Sequence, residues 1–211
     1  MNYGFIGAGN MAGAIIKGMT VGTGSFEGKD IFVYDLNASA AKSLADICKV
    51  NVCSSAEDVI ASSDVLVLAV KPNVLPDVVT QLKNKIIEKS PLVISIAAGK
   101  TLEFLEGLIA KDFPIVRVMP NINAKVGCAT SAFCTTETVS DEQKAIVKKL
   151  FSTVGAVTEL SEKMFSIHSV IGGAAPAFAY LYIDALSRAA VKAGMPKKQA
   201  LELTAQTVLG S

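Results

Sequence analysis

Two patterns of apolar residues alternate along the first part of this chain. Nearly unbroken apolar runs occupy positions 2–6, 31–34, 65–70, 92–96 and 115–118. Between them, at 10–19, 38–48, 74–87, 102–109 and 141–152, apolar residues recur every three or four positions. The unbroken runs predict strands covered on both faces, as in a parallel sheet, and the periodic segments predict helices. A short strand at 50–53, a helix at 56–61 and further strands at 129–134 and 156–159 complete the series. Such alternation with short connections predicts an α/β fold built on a doubly wound parallel sheet. Glycine and serine between positions 22 and 28 predict a surface loop there.

The pattern changes after about residue 160. Positions 170–193 carry few turn signals, and Phe178, Leu181, Ala185 and Ala189 fall on one helical stripe. Gly194 predicts the end of that helix and Pro196 the start of another, over 197–209. Two helices with so much apolar and small-residue surface cannot bury it between themselves. They must pack on the first domain, on missing chain or on another subunit, and the last two together fit best. The sheet domain over 1–160 is thus followed by an all-helical, incomplete domain over 161–211.

Candidate chemistry concentrates where strands end. The run Ile6-Gly7-Ala8-Gly9-Asn10-Met11-Ala12 joins the first strand to the first helix as G-x-G-x-x-A. Gly7 permits a tight turn, Gly9 lets a pyrophosphate approach the backbone, and Ala12 lets the helix lie close to the sheet. The helix start offers free N–H groups and a positive dipole end. This predicts a Rossmann-type fold and a dinucleotide ligand; the alternative is an ordinary glycine-rich βα turn. Asp35 ends the second strand, where an acid can accept from adenosine ribose hydroxyls; the alternative is a solvated turn aspartate. Leu36 and Asn37 follow where an arginine or lysine would meet a 2′-phosphate, which leans toward NADH. Ala69-Val70-Lys71-Pro72, Ala97 and Met119-Pro120-Asn121 each follow another strand, and predict a wall for a nicotinamide ring. The alternative for Lys71 is a snorkelling surface lysine. His168, the only histidine, lies in apolar surroundings and reads as a packed side chain.

Composition narrows the classes. Hydrophobic residues are 51% of the 211 and charged residues 18%, enough for a substantial core. The net charge of +1, without blocks of like charge, argues against nucleic acid and against an anionic membrane as partner. The apolar runs at 65–70 and 92–98 are too short to span a bilayer, and no signal peptide is visible. Four cysteines without a C-x-x-C pair predict reduced thiols and a cytoplasmic setting, and no metal site.

Several strings, in order, resemble the pyrroline-5-carboxylate reductase family. They are Gly4 through Ala12, Leu68-Ala69-Val70-Lys71-Pro72, Ser95-Ile96-Ala97-Ala98-Gly99 and Arg117-Val118-Met119-Pro120-Asn121. Gly173, Pro176-Ala177, Gly194-Met195-Pro196 and Ala205 through Gly210 continue the match. The resemblance implies reduction of 1-pyrroline-5-carboxylate to L-proline by NAD(P)H, and a homodimer or larger homo-oligomer formed through the C-terminal helices, which makes 161–211 a dimerisation domain. It implies that Glu162 lies near the cofactor, and that Met119, Pro120, Gly173 and Pro176 lie near a small imino acid substrate. Three departures stand out. Gly172-Gly173-Ala174-Ala175 replaces the family's Ser-Gly-Ser-Gly, Ile122-Asn123 replaces Thr-Pro, and the chain stops before the family's Ser-Pro-Gly-Gly-Thr-Thr loop. The resemblance is thus to a C-terminally truncated member, expected to bind cofactor better than it turns over substrate. Ala56 also stands where the family often has an asparagine for the adenosine side.

Two other functions remain open on the same scaffold. One is a reductase or dehydrogenase for another small imine or hydroxy acid. The other is a non-catalytic dinucleotide-binding dimer. No residue is singled out as a catalytic acid or base, because hydride transfer needs positioning rather than a protein nucleophile.

Overall fold

The computed structural model describes residues 1–23 and 25–211; Gly24, in the expected surface loop, lies outside the described residues. The elements run β1 (Tyr3–Ile6), α1 (Asn10–Lys17), β2 (Ile31–Tyr34), α2 (Ala38–Cys48), β3 (Asn51–Val52), α3 (Ala56–Ser62), β4 (Val65–Leu68), α4 (Leu75–Lys89), β5 (Leu92–Ser95), α5 (Leu102–Leu108), β6 (Ile115–Met119), β7 (Ala129–Thr135), α6 (Asp141–Ser152), β8 (Gly155–Glu159), α7 (Phe165–His168), α8 (Ala175–Lys192) and α9 (Lys197–Gly210). The backbone divides into two compact units, Met1–Ser166 and Ile167–Ser211.

In the first unit eight strands form one sheet in the order β3-β2-β1-β4-β5-β6-β7-β8. Strand order reverses direction between β1 and β4, which pair in register from Tyr3 opposite Val65 to Ile6 opposite Leu68. Alternate residues of each strand face opposite layers. Val65 and Val67 join Phe5, Ile15, Ile16 and Phe151 on the α1, α2 and α6 side. Leu66 and Leu68 join Ile6, Val59, Leu75 and Val79 on the α3, α4 and α5 side. Both layers are apolar, so the central strands read as continuous hydrophobic runs, and the sheet-and-helix architecture expected from them is present.

Two strands, β7 and β8, depart from the all-parallel expectation. β7 runs antiparallel to β6, with Met119 opposite Ala132 and Val116 opposite Thr135. The physical reason is the connection. Residues 120–128 hold only a short 3₁₀ turn, Ile122–Val126, whereas a parallel crossover takes roughly a dozen residues or more. The chain therefore folds back directly. After α6 supplies a crossover, β8 returns parallel to β7. The strand beginning at Val65 also stops at Leu68, earlier than expected, because Ala69 and Val70 turn out of the sheet.

In the second unit α8 and α9 pack against each other, burying Ser187, Ala200 and Thr204. The long helix expected from 170 is interrupted: Ser169–Ala174 adopts π-helical winding before α8 begins. The expected apolar stripe is exposed, with Phe178 at 63% and Leu181 at 66% of full accessibility. The helical stretch Glu162–Lys192 is long and apolar enough, by length and composition alone, to cross a membrane.

Candidate dinucleotide site

The first turn of the chain is shaped by two glycines with different duties. Gly7 has φ +105°, a conformation that L side chains rarely adopt, and a Cβ there would lie 2.7 Å from the Ala69 carbonyl oxygen. Its own N–H donates to the Tyr34 carbonyl at 2.8 Å. Gly7 is thus required by folding. Gly9 is different. It caps α1 at φ −69° and ψ −174°, with no side-chain cap bond. A Cβ on Gly9 would meet nothing within 4 Å. The chain keeps a residue without a side chain where the fold has ample room for one. The opening lies at the α1 start, whose first turn carries no acidic residue to offset the positive dipole end. That is a cradle a side chain would fill, and it fits a pyrophosphate.

Asp35 holds this turn in place. Its Oδ2 accepts the Ala8 N–H at 2.6 Å and its Oδ1 accepts the Asn37 N–H at 2.8 Å. The carboxylate at the end of β2 therefore fixes the loop after β1. Beside it a cavity of about 330 Å³ opens on the α3 and α4 side, with Leu36, Ala56, Val70 and Val74 among its walls. A larger groove, about 910 Å³, touches Gly9 and Asn10 but runs down the flank of α1 to Lys17 and Thr153. It leads away from the carboxyl ends of the strands, where ligands bind in such sheets.

The other candidates gather on that carboxyl edge because β1, β4, β5 and β6 run parallel. Ala69 donates its N–H to the Ile6 carbonyl at 2.9 Å, tying the β4 turn to the glycine turn. Val70 and Pro72 are half-buried and Lys71 is exposed, its carbonyl accepting from Val74 and Leu75 at the start of α4. Ala97 is buried after β5. Asn121 is buried after β6, and its Oδ1 accepts the N–H groups of Asn123 and Thr130, both at 3.2 Å. It braces the turn between β6 and β7. Met119 and Pro120 are half-buried beside it. Met11 is half-buried and Asn10 exposed at the start of α1.

Glu162 sits in a network that the sequence did not reveal. Its Oε1 accepts from the Leu102 N–H and from the Arg117 guanidinium, both at 2.8 Å. Arg117 is almost wholly buried in β6 and stacks 4.4 Å from the centre of the Phe165 ring. One ion pair thus joins the end of β6, the start of α5 and the segment after β8. An arginine in a buried strand was the available signal.

Burial pushes the neighbouring Cys134 thiol up to about 12, with the Glu162 charge adding to the shift and Arg117 opposing it. Cys134 is buried and Cys128 exposed. Iodoacetamide at about pH 8 should therefore label Cys128 in the folded protein and Cys134 only after unfolding, as peptide mapping would read. The sign of the pH effect follows. The unfolded thiol ionises near 9.0 and the folded one near 12, so this group's contribution to stability falls as pH rises above 9.

In the second unit Gly173 is exposed and Pro176 is half-buried in the first turn of α8. His168 is buried, and a Cβ on Gly172 would lie 2.7 Å from its ring. The glycine that departs from the family's serine is thus matched to the imidazole packed on it.

Residues 2–99 match the family model described as NADP oxidoreductase coenzyme F420-dependent, and residues 162–211 match pyrroline-5-carboxylate reductase dimerisation. The chain is 38% identical over 208 residues to a pyrroline-5-carboxylate reductase of Arabidopsis thaliana, covering 99% of itself and 74% of the relative. It is 36% identical over 210 residues to that of Escherichia coli, covering 99% and 77%. Among solved structures, the Coxiella burnetii enzyme superposes with a TM-score of 0.93 at 33% identity, covering 99% and 77% of the two chains. The Plasmodium falciparum enzyme, solved with NADP bound, gives 0.89 at 30% identity, covering 100% and 76%.

Proposed function

From the premise that this chain belongs to the pyrroline-5-carboxylate reductase family, and so reduces 1-pyrroline-5-carboxylate to L-proline with NAD(P)H, we propose that the carboxyl edge between β1 and β4 holds the dinucleotide. The open cap position at Gly9 is the observation that carries this reading. The backbone from Ile6 to Met11 cradles the pyrophosphate, and Asp35 faces the adenosine ribose. Ala69, Val70, Lys71, Pro72, Ala97 and Asn121 surround the nicotinamide. Glu162 supports that wall through its bonds to Leu102 and Arg117. Met119 and Pro120 line the substrate side of the sheet domain, and Gly173 and Pro176 are the helical domain's own candidates for substrate contact. Residues 1–160 form the dinucleotide-binding domain and 161–211 the helical domain for dimerisation and substrate, with Glu162 reaching back to the first.

When bound, the reduced cofactor supplies a hydride. The chain's own residues do the rest by orientation and by excluding water. The substrate's protonated C=N is already electrophilic, so the ring carbon takes the hydride and the nitrogen keeps its proton. Holding the reacting groups in line lowers the barrier by as much as about 7–11 kcal/mol. The dimerisation match over 162–211 and the exposed apolar stripe of α8 support a homo-oligomer. Covering that stripe with a second copy, rather than with lipid, fits a soluble, cytoplasmic enzyme.

The test is steady-state consumption of NAD(P)H by the full-length protein. Turnover with 1-pyrroline-5-carboxylate should exceed that with any of a panel of other cyclic imines and hydroxy acids. Turnover confined to a hydroxy acid, or nucleotide binding without any turnover, would overturn the reading.

A further inference from the structure

The charges around the cavity beside Asp35 select between the two nicotinamide cofactors. Its walls are mostly apolar, suited to a flat ring, and its charged lining residues are Asp35 and Glu57. Both are acids. Among the described residues no lysine or arginine lines it. Leu36, next to Asp35 and 87% exposed, presents an apolar side chain. Glu57 stands in the first turn of α3, and Asp58 beside it adds a further negative charge.

Asp35 is also rigid. Its two oxygens are fixed by the Ala8 and Asn37 N–H groups, and among the described residues no cation pairs with it. Each oxygen retains a second lone pair able to accept from a ribose hydroxyl. Swinging away would release the glycine turn that Asp35 pins through Ala8. A 2′-phosphate carries about −1.5 to −2 charges at neutral pH. Set beside this carboxylate it would be repelled, with Glu57 adding to the repulsion and nothing in the lining to neutralise it.

We propose that this chain is built for NADH and rejects NADPH, with Asp35 and Glu57 as the specificity-determining residues and Leu36 as the position from which a phosphate-binding cation is missing. The proposal rests on the dinucleotide reading above. It differs from it in committing to one cofactor.

The experiment is equilibrium titration of the full-length protein with NADH and with NADPH, followed by nicotinamide fluorescence without substrate. NADH should bind at least tenfold more tightly. The double variant Leu36→Arg with Glu57→Lys changes two exposed side chains and leaves the Asp35 bonds in place. It should narrow that ratio at least tenfold, mainly by tightening NADPH. Equal affinities, or tighter NADPH, in the parent protein would overturn the proposal while leaving the dinucleotide site standing. An unchanged ratio in the double variant would overturn the assignment to these residues. Binding of neither nucleotide would overturn both readings.

Discussion

Gly9→Asp folds as stably as the parent protein and loses NADH binding by more than about 100-fold. Both halves of this expectation come from one geometry. The backbone at residue 9 is extended, at φ −69° and ψ −174°, which any residue adopts. A Cβ there touches nothing within 4 Å. Aspartate is also among the preferred N-cap residues, contributing roughly 0.5–2 kcal/mol to a helix relative to alanine. The fold therefore has no reason to refuse it. The cofactor does, because a carboxylate would occupy the space of the pyrophosphate and repel it at a loss of about 2.7 kcal/mol or more. Thermal unfolding and a fluorescence titration on the same sample check the two halves. Gly7→Ala serves as the contrast. With φ at +105° and the Ala69 carbonyl in the way, it should lose stability first and binding only as a consequence. Unchanged NADH affinity in Gly9→Asp would remove the dinucleotide from this turn.

Glu162→Ala should lower stability by about 3–5 kcal/mol, the range for stranding one member of a buried ion pair. Arg117 has 10% of its side chain accessible, against 32% for Glu162. The arginine is therefore the member left without compensation, and the Leu102 N–H loses its acceptor as well. The partial exposure of Glu162 favours the lower end of the range. Replacing both partners by apolar residues, Arg117→Met with Glu162→Leu, should recover most of the loss, because neither charge is then buried. Denaturant midpoints read the difference. Titrating NADH into Glu162→Ala separates two roles. A carboxylate that contacts the cofactor directly would weaken binding in the double variant as much as in the single one. A brace acting through α5 and β6 would let affinity return with stability.

Residues close in sequence announced their own structure. The alternation of unbroken and periodic apolar segments named nearly every strand and helix of the first unit, because a strand covered on both faces needs apolar residues at every position. The glycine turn was readable for the same reason, since strand, turn and helix start are contiguous. Strand direction was not readable. Nothing in the run 129–134 distinguishes parallel from antiparallel, and the decision lay in the short connection at 120–128, where periodicity carries no signal. Asp35 was legible as an acid at a strand end. Its bond to Ala8 was not, because the two residues are 27 positions apart and meet only once β1 and β2 pair.

By itself the chain order determined the layered α/β architecture, the glycine turn between β1 and α1 and the apolar helical stripe. Each is a matter of local propensity and periodic burial. Only the tertiary structure decided which charges share a space. It brought Glu57 to the cavity beside Asp35 and Arg117 to Glu162. Such encounters depend on strand order and helix packing, and electrostatic selection acts through distance in space rather than along the backbone.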